Sequence, residues 1–143
     1  MARTGLRRDR LMGRARDLHE SFVHLGLRGA ARPQPAFTGH EWYDDYIART
    51  AADGAEGRLV SLYRFSQPWD SWEMHPLGDE LVVCVSGNMT LIQELASGDR
   101  TDIALGPGEY AVNPAGVWHT ADVAGEAQAL FITAGLDTEH RPR

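Results

Sequence analysis

Two histidines and two glutamates in this chain stand at spacings that suit a metal ion. Glu73-x-His75-x4-Glu80 runs across a Pro76-x-Gly78 turn, and His119 follows a second turn, Pro114-x-Gly116. Side chains on a strand alternate between faces, so Glu73 and His75 point the same way. Glu80 opens a new strand after the first turn and can face the same interior; His119 opens a later one. A carboxylate in an apolar interior is costly unless a cation pairs with it. Imidazole with carboxylate suits one divalent ion, Fe(II), Mn(II), Ni(II), Co(II) or Zn(II), and ligand types alone do not choose among them. A soft copper site is disfavoured, because Cys84 is the lone thiol. Each residue taken singly has a plainer reading. A histidine on a strand is more often packed or at the surface, and Glu80 alone suits a salt bridge. The joint spacing is what favours a site.

The elements that must position this set are strands. From Arg58 onward the chain reads as all-β, with runs over 59–65, 69–75, 80–86, 89–95, 101–105, 109–112, 117–123 and 127–133, separated by Gly/Pro/Asn/Asp turns. That pattern predicts a sandwich or small barrel. Ahead of it, residues 1–12 are basic without an apolar period and read as a disordered arm; Met12 is a second candidate start. Residues 13–28 carry Leu18, Phe22, Val23 and Leu25 among charges, which predicts a short amphipathic helix ending near Gly26 or Gly29. Arg32-Pro33-Gln34-Pro35 reads as extended linker. Residues 41–50 suit a strand or a helical turn held by Trp42, Tyr43 and Tyr46, and 51–57 a loop. The division expected is a basic arm with short helix and linker over 1–35 and a barrel domain over 36–143. The polar end, 135–143, reads as loose or as an interface tail.

Length and composition exclude several classes. The 143 residues suggest one domain, and 43% hydrophobic with 24% charged residues is ordinary for a soluble globular protein. A net charge of −6 disfavours nucleic acid as a partner. Eight of the 14 basic residues, all arginine, lie within 1–32, and a solvated arm explains them better than an anionic partner. One cysteine makes no intrachain disulfide. There is no apolar run long enough for a membrane span and no secretory leader pattern, so a cytoplasmic setting is the default expectation.

The two stretches together resemble the cupin family. Its first motif is G-x5-H-x-H-x(3,4)-E-x6-G and its second G-x5-P-x-G-x2-H-x3-N. Here His75-x4-Glu80-x6-Gly87 matches the second His, the Glu and the closing Gly, and Gly108-x5-Pro114-x-Gly116-x2-His119 matches the second motif through its histidine. The resemblance covers roughly residues 58–134. It implies a single-domain jelly-roll β-barrel with a metal inside and frequent homodimers. Three positions depart from the pattern: Gln67 for the opening Gly, Val123 for the closing Asn, and Glu73 for the first His. Glu73 either completes a two-His, two-Glu set or serves as a base beside a triad of His75, Glu80 and His119. Such a triad with open positions suits non-haem Fe(II) oxygen chemistry.

The function this favours is a metal-dependent enzyme, of dioxygenase, isomerase or lyase type, acting on a small organic molecule. A non-catalytic small-ligand-binding module and a metal-stabilised structural dimer are the alternatives, since fold does not fix function. By strand phase, Trp72 and Trp118 should face the barrel exterior, Cys84 should point inward as a small hydrophobe, and Arg64 could line a pocket for an anionic ligand. His19, His24, His40 and His140 lie outside the motifs and are assigned no chemistry.

Overall fold

The computed structural model describes residues 13–143; the expected basic arm over 1–12 lies outside them. Among the described residues nine strands form one sheet: β1 Val23–Leu25, β2 Ala31–Pro33, β3 Arg58–Phe65, β4 Ser71–Met74, β5 Glu80–Glu94, β6 Arg100–Leu105, β7 Tyr110–Asn113, β8 Trp118–Thr133 and β9 Glu139–Pro142. All these strands pair antiparallel, and the order β2-β1-β3-β8-β4-β9 branches at β8 to β5, which also pairs β6 and β7. The sheet curls into an all-β jelly roll.

Four expectations are corrected. No α-helix spans 13–28. Phe22 and His24 are buried while Val23 and Leu25 are half-covered, which is a strand's period of two. A helical reading follows only if His24 is counted as polar and outward. The supposed linker is part of the sheet: Pro33 and Arg32 pair with Val23 and His24 on edge strand β2, where a proline is tolerated. The runs 80–86 and 89–95 form one strand, β5, as do 117–123 and 127–133, β8. Register shifts at Cys84/Ser86 and Gly87/Met89 bend β5 without ending it. Gly87 is required there: its φ is 74°, and a Cβ would lie 2.1 Å from the Glu126 carbonyl oxygen. Lastly, the C-terminal end is not loose, because β9 pairs along the whole of β4.

One α-helix is found among the described residues, α1 Trp42–Thr50. Trp42 and Tyr46, one turn apart, bury the same face and stack at 5.3 Å. They pack with Phe22 and Leu59 against β3. Asp44 and Asp45 in its first turn and Arg49 in its last suit the helix dipole. The main core, including Val82, Leu91, Ala121, Ala129 and Phe131, fills the barrel. The opposite face of the sheet is also apolar. Val60, Ile132, Leu81 and Val112 form one cross-strand row, and Leu62, Leu130, Val83 and Tyr110 the next. Their chain neighbours Ser61, Phe131, Val82 and Ala111 are buried, so these rows point outward.

Candidate metal centre

Register brings the four sequence-singled residues together. Glu73 on β4 is the cross-strand partner of His119 at the start of β8. His75 follows two residues after Glu73 and shares its face. Glu80, the first residue of β5, lies between Asn113 of β7 and Thr133 of β8. Glu73, His75 and His119 each place one candidate ligand atom within 4.8 Å of the others. Glu80 borders both rings: its Oε2 is 3.1 Å from His75 Nε2 and its Oε1 3.2 Å from His119 Nε2. Glu73 Oε2 stands farther off, 3.9 Å from each Nε2.

Burial makes this cluster costly as it stands. His75, His119 and Glu80 are buried, Glu80 with 3% of its side chain exposed. The Glu80 carboxylate accepts hydrogen bonds from Asn113 Nδ2 at 3.0 Å and Thr133 Oγ1 at 2.6 Å. Gln93 in turn donates to the Asn113 side-chain oxygen at 2.9 Å, which fixes which end of that amide faces Glu80. Each imidazole has its other nitrogen committed. His119 Nδ1 donates to the Val117 carbonyl oxygen at 3.2 Å, an atom that can only accept. His75 Nδ1 lies 2.8 Å from Thr138 Oγ1. With Nδ1 carrying the proton, a neutral ring turns its Nε2 lone pair inward. Both Nε2 atoms are buried and have no hydrogen-bond partner, because the nearby Glu80 oxygens lie off the ring's donor direction. Two inward lone pairs beside a buried carboxylate call for a cation, and the donor set fits a borderline-to-hard divalent ion.

The electrostatics point the same way. Burial alone would lift the Glu80 carboxyl, but the flanking His119 and His75 hold it well below the usual carboxylate range. Burial alone would depress His119, and the Glu80 and Glu73 carboxylates outweigh it, so that ring lies above its ordinary value. The raised His119 value marks the negative potential that the two carboxylates set up at its ring.

Comparison with known proteins bears on the fold. No protein-family model matches the sequence, and no curated protein matches it. Among solved structures, an oxalate oxidase aligns with a TM-score of 0.53 at 16% identity, covering 64% of this chain and half of that one. A cupin-2 domain containing protein from Shewanella frigidimarina aligns at 0.46 with 22% identity, covering 60% of this chain and 71% of that one. A cupin superfamily protein from Desulfitobacterium hafniense aligns at 0.46 with 25% identity over 53% of this chain and 65% of that one. The fold is that of a cupin.

Within this cupin barrel, the residues around the centre sort by strand phase. Cys84 points inward into the core, as expected, and burial pushes its thiol up, away from reactivity. Trp72 and Trp118 face away from the centre, also as expected. Trp72 is covered there by the guanidinium groups of Arg100 and Arg141, which also reaches over Trp118. Arg64 does not line the centre. It is exposed on the outward side of β3 opposite Gln128, because Tyr63 and Phe65 take the inward positions.

Several neighbours of the centre carried no signal in the sequence. His140 Nε2 donates to Glu73 Oε1 at 3.3 Å, and that bond lifts its ring above the ordinary value. Thr133 reads as an ordinary β-former, and Thr138 falls in the end of the chain that reads as loose. Trp69 has its ring 6.4 Å from that of His119, with a buried Nε1 that has no partner. Asn113 lies inside the second motif, and its inward phase relative to Ala111 was the one available clue. No helix among the described residues is long and apolar enough to cross a membrane.

Proposed function

We propose that this protein binds one divalent metal ion through His75, His119 and Glu80 and uses it to transform a small organic molecule. The observation that carries the reading is the pair of buried, unpartnered Nε2 atoms beside the Glu80 carboxylate. Fe, Mn, Ni, Co and Zn all suit the donor set. The metal would supply a Lewis acid or an oxygen carrier, in chemistry of dioxygenase, isomerase or lyase type. Glu73 suits either of two roles. Its Oε2 faces both imidazoles, as a fourth ligand would. Its 30% exposure and its longer 3.9 Å distances suit a base that reaches substrate instead. The unpartnered Trp69 Nε1 offers a donor to an oxygen of the bound molecule.

A second reading, a binding or structural barrel whose metal never turns anything over, is favoured by the dense packing of Tyr63, Phe65, Trp69 and Phe131 around the interior. The protein is further proposed to work as a cytoplasmic homodimer joined through the two outward apolar rows, where Tyr110 is 66% exposed. A contiguous apolar face of that kind is rare on a monomer. Val112→Arg should then shift the sedimenting species to half its mass.

The deciding experiment is elemental analysis of untagged protein purified without added metal, beside His75→Ala and His119→Ala. About one equivalent lost in both variants supports the centre. Stoichiometric metal in both, or a folded wild type that refuses added metal, removes it. Glu73→Gln then separates the roles: a ligand loses affinity, whereas a base keeps affinity and loses turnover.

A further inference from the structure

The end of the chain returns to the centre. After β8, a turn with Gly135 and Asp137 leads into β9, the outermost strand beside β4. Thr138 stands at the entrance to β9. Its hydroxyl donates to the Gly135 carbonyl oxygen at 2.8 Å. With its proton committed there, that oxygen accepts from His75 Nδ1–H at 2.8 Å. Two residues on, His140 sits in register opposite Glu73 and donates to its Oε1. The segment is anchored away from the centre. Arg141 pairs with Glu94 and lies against Trp72 and Trp118. Arg143 donates to the carbonyl oxygens of Trp69 and Ala121 at 3.1 and 3.2 Å and pairs with Asp122.

We propose that this C-terminal strap positions the metal centre: Thr138 holds the His75 ring in its Nδ1–H form, and His140 holds one Glu73 oxygen so that the other faces both imidazoles. The proposal rests on the metal reading above. Neither residue is among the proposed ligands, so both are positioning residues. A neutral imidazole has one proton for two nitrogens. An acceptor-only oxygen at Nδ1 keeps it there and leaves the Nε2 lone pair free for a metal. Without that acceptor, the proton can move to Nε2, or the ring can turn. His140 acts from the rim in the same sense. It occupies Glu73 Oε1 and limits the carboxylate to a single inward oxygen.

The test uses the full chain with Co(II) as probe, by titration against a chelator with the visible spectrum as readout. Thr138→Val keeps the shape and removes the acceptor; it should weaken Co(II) binding about 10- to 100-fold and alter the visible bands. Thr138→Ser should restore both. His140→Ala should change the bands with a smaller loss, and His140→Gln, which keeps a donor, should resemble wild type. Thr138→Val with wild-type affinity and bands overturns the proposal. Long-range proton–nitrogen NMR of the metal-free protein reads the His75 tautomer directly and needs no metal. The Nδ1–H form in wild type, lost in Thr138→Val, supports the assignment, and the same form in both overturns it. Failure of wild type to take Co(II) would count against the metal reading, while the NMR result would still decide the role of Thr138.

Discussion

Two places in this molecule set buried histidines beside a carboxylate, His24 at one and His75 with His119 at the other, and their fates are opposite. His24 on β1 has 1% of its surface exposed and both ring nitrogens partnered. Tyr46 donates its hydroxyl to Nδ1 at 2.6 Å, and Nε2–H donates to Asp53 Oδ2 at 2.7 Å. Burial pushes the Tyr46 hydroxyl up to about 12, so it keeps the proton it donates. The surroundings are shaped to this triad: a Cβ on Gly26 would come 2.8 Å from Asp53 Oδ2, and one on Gly57 2.7 Å from the His24 ring. At the barrel centre, His75 and His119 have Nδ1 partnered and Nε2 without a partner beside Glu80. The first arrangement is complete and braces α1 against the sheet. The second leaves two inward nitrogens without a hydrogen-bond partner. Burial and a nearby carboxylate are common to both, so the orphaned nitrogens are what separate a proposed ligand from a brace.

The sharpest break between the regions should come from metal content. His75→Ala or His119→Ala should abolish metal uptake, while His24→Ala should keep one equivalent by elemental analysis. Stability should sort the other way. His24→Ala leaves Tyr46 and Asp53 without their partner and opens a cavity, a loss of about 3 kcal/mol in urea unfolding of the metal-free protein. Unchanged stability would mean the triad is no brace. Thr133→Val removes one of the two neutral donors to the buried Glu80 carboxylate and should cost about 1.5 kcal/mol in the same assay, with weaker metal binding.

The smallest effect is on pH dependence. In the metal-free protein the His119 pKa is raised, so the stability from its pairing with Glu80 is present below the unfolded histidine value, about 6.5, and is lost as pH rises through the folded one. Metal must displace that proton, so binding strengthens over the same interval. The gain in melting temperature on adding metal should therefore grow with pH across it. The His24→Ala variant should show the same growth, and a gain independent of pH would separate metal binding from His119.

The sequence made the centre legible because its proposed ligands fall in two short stretches whose spacing is set by turns. Alternation then put Glu73 and His75 on one face without any knowledge of the sheet. The supporting residues were illegible for the opposite reason. Thr133, Thr138 and His140 reach the centre through pairings of distant strands, and nothing in a threonine at position 138 says that it will meet residue 75. The N-terminal strands were misread because a buried histidine with two partners looks, in sequence, like an outward polar residue. The division of β5 and β8 into shorter runs had a similar cause. Gly87 and Gly125 look like turns, yet at bulges they let one strand bend and continue.

That continuity has a mechanical consequence. Glu80 begins β5 opposite Thr133, and Gln93, near the other end of β5, lies opposite His119. The two proposed ligands therefore belong to opposite ends of one antiparallel ladder, a contour of about 45 Å, yet their side chains meet at 3.2 Å. An ion held between them would act as a clasp on a ribbon, fastening head to tail after the ribbon has curled. Removing it should loosen the barrel first at the ladder's two ends, and amide exchange should quicken there before it does at the bends between them.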